Sequence, residues 1–340
     1  MEQQKSGIPS FEAASSPPGG GTSPQAGKRE LALELVHASE AAALASAGYL
    51  GKGEPERVSE AAAGAMRSAL ERSGLTGTVV LSPRHQSHLP RGMVIGGGER
   101  RVDLGLYALE GASQVARGHI NSITTLVAVE PGGFPRLPAV SQVEKFVAGP
   151  AARGAIDLDD SVADNLRRVA FANDVRVQDL TVAILERPRH QDLISQVSAT
   201  GARIRTLEEG DFASAVMAAL SGTGIDAAIG LGDVDAMLIA ACAVRCLGGE
   251  FKARLVPRND DEKRLAGDSA TRVYGLADLA PAGDIAVAIT GVTGGPLLPG
   301  VVFGSGFAET SSLVLSSRLG TIRRLTTRHL AAGWGERRPD

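Results

Sequence analysis

Bases crowd one short stretch of this chain, Arg84-His85-Gln86-Ser87-His88-Leu89-Pro90-Arg91. Guanidinium groups neutralise phosphate through charge-assisted hydrogen bonds, so one reading is a loop that binds a phosphorylated ligand without metal. A second reading joins His85 and His88 to Glu110 as a site for a softer metal such as zinc. A solvated loop accounts for the same residues. Arg187-Pro188-Arg189-His190 poses a similar choice, because Pro188 also suits the first turn of an exposed helix. His37, His119 and His329 stand isolated, and the glycine-rich turn Thr290-Gly291-Val292-Thr293-Gly294-Gly295 lacks the order of a nucleotide-binding P-loop. Cys242 and Cys246 lie one helical turn apart on one face. Two ligands do not complete a zinc site, and the pair reads as free thiols in a reducing compartment.

The elements that must position such groups have ample chain to draw on. At 340 residues the protein can bury a large core, as one large α/β unit or two closely packed domains. Lys and Arg number 35 against 38 for Asp and Glu, a balance that gives no electrostatic reason to expect nucleic acid or an acidic membrane as partner. Glycine supplies 42 residues, well above the ~7% of average chains, so tight turns and close backbone approaches are expected. The sequence holds no long apolar run, and no apolar segment follows Glu2 and Lys5. A membrane span and a secretory signal are therefore not expected, and the protein reads as cytoplasmic.

Residues 1–27 are rich in Ser, Pro and Gly and are expected to form a disordered tail, with a second short tail at 331–340. Helical spacing of apolar residues runs from about Arg29 to Gly51, and again from Ser59 to Arg72. Short β-prone runs follow at Val79–Leu81, Val102–Leu106, Ser122–Val129 and Val143–Val147, and are assigned to a first sheet. From about Ser161 helices and strands alternate: Val162–Ala172, Thr181–Leu185, Gln191–Ala199, Arg203–Leu207, Phe212–Leu220, Ile225–Ile229 and Ala236–Leu247. That alternation predicts a parallel, doubly wound half with ligands at the carboxyl ends of its strands. The last runs, Ile285–Thr290, Val301–Phe303, Ser311–Leu315 and Thr321–Leu325, read as strands. The fold class is thus α/β, with an N-terminal α+β half at 28–160 and an α/β half at 161–330.

Arg29-Glu30-Leu31-Ala32-Leu33-Glu34-Leu35, then Ser39-Glu40-Ala41-Ala42-Ala43-Leu44-Ala45 and Gly51-Lys52-Gly53, resemble the opening of class II fructose-1,6-bisphosphatases. Val147-Ala148-Gly149-Pro150, Ile156-Asp157-Leu158, Arg187-Pro188-Arg189-His190, Glu209-Gly210-Asp211, Leu247-Gly248-Gly249, Thr290-Gly291-Val292-Thr293 and Thr321-Ile322-Arg323-Arg324 continue the likeness in order. The resemblance spans about residues 29–329 and implies a layered sugar-phosphatase fold, often oligomeric. It also implies release of phosphate from fructose 1,6-bisphosphate in gluconeogenesis, with sedoheptulose 1,7-bisphosphate accepted by some members. Phosphate monoesters hydrolyse so slowly that catalysis needs an activated water and neutralised phosphoryl oxygens. The family meets that need with magnesium or manganese held by carboxylates.

Position by position, most of those carboxylates are missing. Ser59 stands for the first; Ser82-Pro83-Arg84-His85 and Ser87-His88-Leu89-Pro90 replace the acids of the next loop; and Tyr107-Ala108-Leu109-Glu110-Gly111-Ala112 stands for the family's Asp-Pro-Ile-Glu-Gly-Thr. Glu110 alone survives there, and Ala236 stands at the fifth ligand, with Asp235 adjacent as a substitute. By the same resemblance Glu110, Gly111, Arg187, Pro188, Arg189, Glu209, Gly210 and Asp211 are the substrate contacts, the arginines donating to phosphate and the carboxylates accepting from sugar hydroxyls. Gln142 replaces a tyrosine of the family.

The expectation is therefore a homologue with lost or severely reduced catalysis that binds a sugar phosphate or regulates, as a homo-oligomer or paired with an active paralogue. The competing expectation is an active enzyme whose magnesium or manganese site is rebuilt from Glu110 and Asp235 with Glu60 or Asp103. A purely structural subunit is the third.

Overall fold

The computed structural model describes residues 31–82 and 88–330. The elements, in chain order, are α1 (Leu31–Ala47), α2 (Pro55–Glu71), β1 (Leu75–Leu81), β2 (Val94–Gly96), β3 (Arg100–Glu110), α3 (Ala112–Arg117), β4 (Ile123–Val129) and β5 (Gln142–Ala148). Next come α4 (Val162–Ala172), β6 (Thr181–Leu185), α5 (Gln191–Ala199), β7 (Arg203–Leu207), α6 (Asp211–Ala219), β8 (Ala227–Asp233), α7 (Val234–Leu247) and β9 (Glu250–Leu255). The chain closes with α8 (Asp260–Ala266), β10 (Val273–Gly275), α9 (Leu276–Leu279), β11 (Ile285–Gly291), β12 (Val302–Gly304), β13 (Phe307–Ser316) and β14 (Thr321–Leu330).

Two mixed sheets carry these strands. The first runs β12-β13-β11-β4-β3-β1-β2, with β14 on β13; the second runs β10-β9-β5-β8-β6-β7. Helices α6 and α7 lie between the sheets, α1 and α2 cover the far face of the first, and α4 and α5 pack outside the second. Sequence explains the layering. Every residue of β4 and β11 is buried, as expected of strands covered on both faces. Helix α7, Val234-Asp235-Ala236-Met237-Leu238-Ile239-Ala240-Ala241, is apolar nearly all round because both sheets flank it. It starts on Asp233, whose side chain accepts from the N–H groups of Asp235 and Ala236, and stops at left-handed Gly248.

Two sequence expectations need correction. The β-prone run Val143–Val147, expected in the first sheet, lies in β5 of the second, between β8 and β9 and antiparallel to both. The alternating segment does run one way: β6 is parallel to β7 and β8, and the shared neighbour β5 gives β9 the same direction. The sheet is mixed because β5, made before the alternation begins, is inserted into it, and β10 adds an antiparallel edge. Strands β11 to β14 return to the first sheet, so the sheets do not divide the chain at residue 160. Strand β9, β10 and helices α8 and α9 add elements that the sequence reading passed over. The expected tails at 1–27 and 331–340 lie outside the described residues. No helix among the described residues is long and apolar enough to cross a membrane.

Candidate functional site

Parallel strands gather loops at their carboxyl ends, and here those of β6 and β7 face the end of β3 from the other sheet. A cleft of about 420 Å³ opens between them, lined by Ser59, Tyr107, Glu110, Gly111 and Ala112 on one side and Leu185, Arg187, Glu209, Gly210 and Asp211 on the other. Three of the positions at which the resemblance expects ligands, Ser59, Tyr107 and Glu110, line this cleft, whereas Ser82, His88 and Ala236 do not. Arg187, Glu209, Gly210 and Asp211 meet there too, whereas Arg189 lines a separate cleft of about 270 Å³ with Glu144, Asp160 and His190, its guanidinium donating to the Leu231 carbonyl at 3.2 Å. Pro188 opens the short turn Pro188–His190 between them.

Glu110 is buried, and its two oxygens accept the backbone N–H groups of Phe212 at 2.9 Å and Ala213 at 3.0 Å. It therefore anchors the first turn of α6 from the opposite sheet, where helix N–H groups otherwise lack partners. Burial pushes its carboxyl up to about 7, against the pull of those two hydrogen bonds. Gly111 follows at φ +93°, and a Cβ there would lie 2.5 Å from Ser122 Oγ, which donates to the Gly111 carbonyl. Only glycine fits that turn without displacement.

Asp211 faces Lys145, a lysine buried on β5. The Nζ donates to the Asp211 carbonyl at 2.8 Å and to its carboxylate Oδ1. A Cβ on Gly232 would lie 2.1 Å from Asp211 Oδ2, so the bare backbone of β8 makes room for this pair. Glu209 is raised by burial, an effect opposed by Arg187 nearby. Tyr107 is raised well above the usual phenol range by burial and then by Glu110.

Asp235 sits apart from this cleft, at the start of α7. It is buried, accepts from Ser82 N at 3.3 Å and from Arg91 Nε at 2.8 Å, and pairs with a second nitrogen of the same guanidinium. Burial raises its carboxyl and Arg91 lowers it. The other proposed donors scatter. Asp103 Oδ2 accepts from Gly132 N at 2.7 Å, at the opposite end of β3 from Glu110, and His88 Nε2 lies 4.0 Å from Glu60 rather than beside Glu110. Arg84 and His85 lie outside the described residues. No three His, Cys, Asp or Glu side chains among the described residues gather as an ion would require. Magnesium is held by one or two carboxylates together with waters and substrate phosphate, and with Glu110 and Asp235 both engaged by protein donors the described side chains do not fit it.

Sequence reasoning gave Lys145 and His190 no role. A lysine inside the apolar run Val143–Ala148 was the available signal for the first. His190 is buried, with Nδ1 at 2.7 Å from the Leu185 carbonyl and Nε2 accepting the Leu231 N–H at 2.9 Å. Those bonds fix a neutral ring that joins the ends of β6 and β8, and burial holds its pKa below 6.5. The folded state then binds fewer protons than the unfolded one, so this contribution is present above about pH 6.5 and is lost as pH falls through the lowered pKa. Urea unfolding of wild type and His190→Ala should show an advantage for wild type that shrinks with acidification; a pH-independent difference would remove the neutral-ring assignment.

The family model of bacterial, glpX-encoded fructose-1,6-bisphosphatases matches residues 29–329. A class 2 D-fructose 1,6-bisphosphatase/sedoheptulose 1,7-bisphosphatase of Synechococcus sp. strain JA-3-3Ab is 32% identical over 336 residues, covering 89% of this chain and 96% of the relative. Fructose-1,6-bisphosphatase 1 class 2 of Escherichia coli strain K12 is 32% identical over 322 residues, with the same coverage of 89% and 96%. The matched span, 29–329, is the one over which the motifs run in order, and the chain belongs to the bacterial, class 2 fructose-1,6-bisphosphatase family.

Proposed function

We propose that this chain binds a sugar phosphate in the cleft between its sheets and has lost, or retains only a trace of, metal-dependent phosphatase activity. The observation that carries this reading is the state of the two remaining carboxylates: Glu110 is committed to the backbone of α6, and Asp235 to Arg91. Arg187 lines the cleft and supplies a guanidinium for phosphate, while Glu209 supplies an acceptor for sugar hydroxyls. Pairing with itself or with an active paralogue in the cytoplasm is part of the same proposal, since a binder without turnover acts through what it joins.

Phosphate release from fructose 1,6-bisphosphate, with magnesium, with manganese and with chelator, tests it. Release should not exceed that of Arg187→Ala. The same ligand should raise the melting temperature, because binding to the native state alone adds RT ln(1 + [L]/Kd), about 2.7 kcal/mol at a hundredfold excess over Kd. That rise should be lost in Arg187→Ala. Metal-dependent release would establish the rebuilt enzyme instead, and no ligand-induced shift would leave a structural subunit.

A further inference from the structure

Arg91 lies between β1 and β2, in the stretch where the resemblance expects metal-binding acids, and it reaches the start of α7, where the resemblance expects another. Its fork meets both oxygens of Asp235, and Ser82 N, at the end of β1, adds a third donor to the same carboxylate. Asp235 is 4% exposed, while just over half of the Arg91 side chain remains in solvent, at 56%. A buried carboxylate requires a counter-charge, and this one receives a planar, permanently protonated group in two-point geometry.

We propose that Arg91 does in this chain the structural work of a divalent cation: a covalently attached positive charge ties the turn before β2 to α7. The inference rests on the reading of the site as metal-free and names the residue that makes it so. An ion can be chelated or diluted away; a guanidinium cannot, and the junction is therefore closed at any metal concentration. The ordinary alternative is an exposed ion pair of negligible effect. Burial of Asp235 is what separates the two.

Melting temperatures of the full chain decide between them without any sugar phosphate, so the outcome is independent of ligand binding in the cleft. Wild type should melt at the same temperature with magnesium, with manganese and with chelator. Arg91→Ala should melt several degrees lower, Arg91→Lys should recover part of the loss, and Arg91→Ala/Asp235→Asn should recover most of it, because removing the carboxylate removes the need for its partner. The double variant keeps the test informative should Arg91→Ala fail to fold. A wild-type melting temperature that rises with magnesium or manganese and falls with chelator would overturn the proposal, as would an Arg91→Ala protein that melts with wild type.

Discussion

Glu110→Ala is expected to lower the free energy of unfolding by roughly 2–6 kcal/mol, since it strands two buried backbone donors that each cost about 1–3 kcal/mol when unsatisfied. Those donors are Phe212 N and Ala213 N, in the first turn of a helix whose residues from Phe212 to Ala219 are all buried. Water cannot easily replace the carboxylate there. Glu110→Gln keeps one acceptor oxygen and should lose less, about 1 kcal/mol. The pH dependence has a definite sign. With its pKa raised from 4.5 to about 7, Glu110 binds more protons when folded, so its contribution is full below 4.5 and declines as pH rises through 7. Urea unfolding at constant m-value should therefore show Glu110→Ala losing more near pH 5 than near pH 8. A variant as stable as wild type would mean that the carboxylate does not anchor α6.

Lys145→Met is expected to cost roughly 3–5 kcal/mol, which is the usual penalty for breaking a buried ion pair by removing one partner. Its side chain, 3% exposed, is held against Asp211, whose side chain is 14% exposed. Without it the carboxylate faces a cleft already carrying Glu209 and Glu110. Lys145→Met/Asp211→Asn should regain a large part of the loss, and a double-mutant cycle in urea would read the coupling. Additive losses would show that the two side chains are stabilised by separate neighbours. The lysine also donates to the Asp211 carbonyl, so full recovery is not expected.

Much of the architecture was legible from pattern. The run from Val162 to Leu247 alternates apolar helix and strand, and its strands do share one direction. Nothing in Val143-Glu144-Lys145-Phe146-Val147 says which sheet will take it, because a strand buried on both faces reads the same in either. Motif order named Glu110, Arg187 and Asp211, and these line one cleft with Tyr107 although they come from different sheets. The separation of Arg187 from Arg189 was not, since a turn of three residues sends neighbouring arginines to different clefts. Nor could spacing along the chain show that Arg91 closes on Asp235, a contact across 144 positions.

The insertion of β5 has a consequence for the order in which this chain can assemble. During synthesis β5 emerges with neither neighbour made, since β8 begins at Ala227 and β9 at Glu250. Its closing contacts are distant in sequence, which loads folding with loop-closure entropy and slows it. Until they form, an apolar strand waits with both hydrogen-bonding edges open, the state most exposed to pairing with a neighbouring chain. For this molecule the hazardous interval is birth, before the second half has arrived to enclose the first.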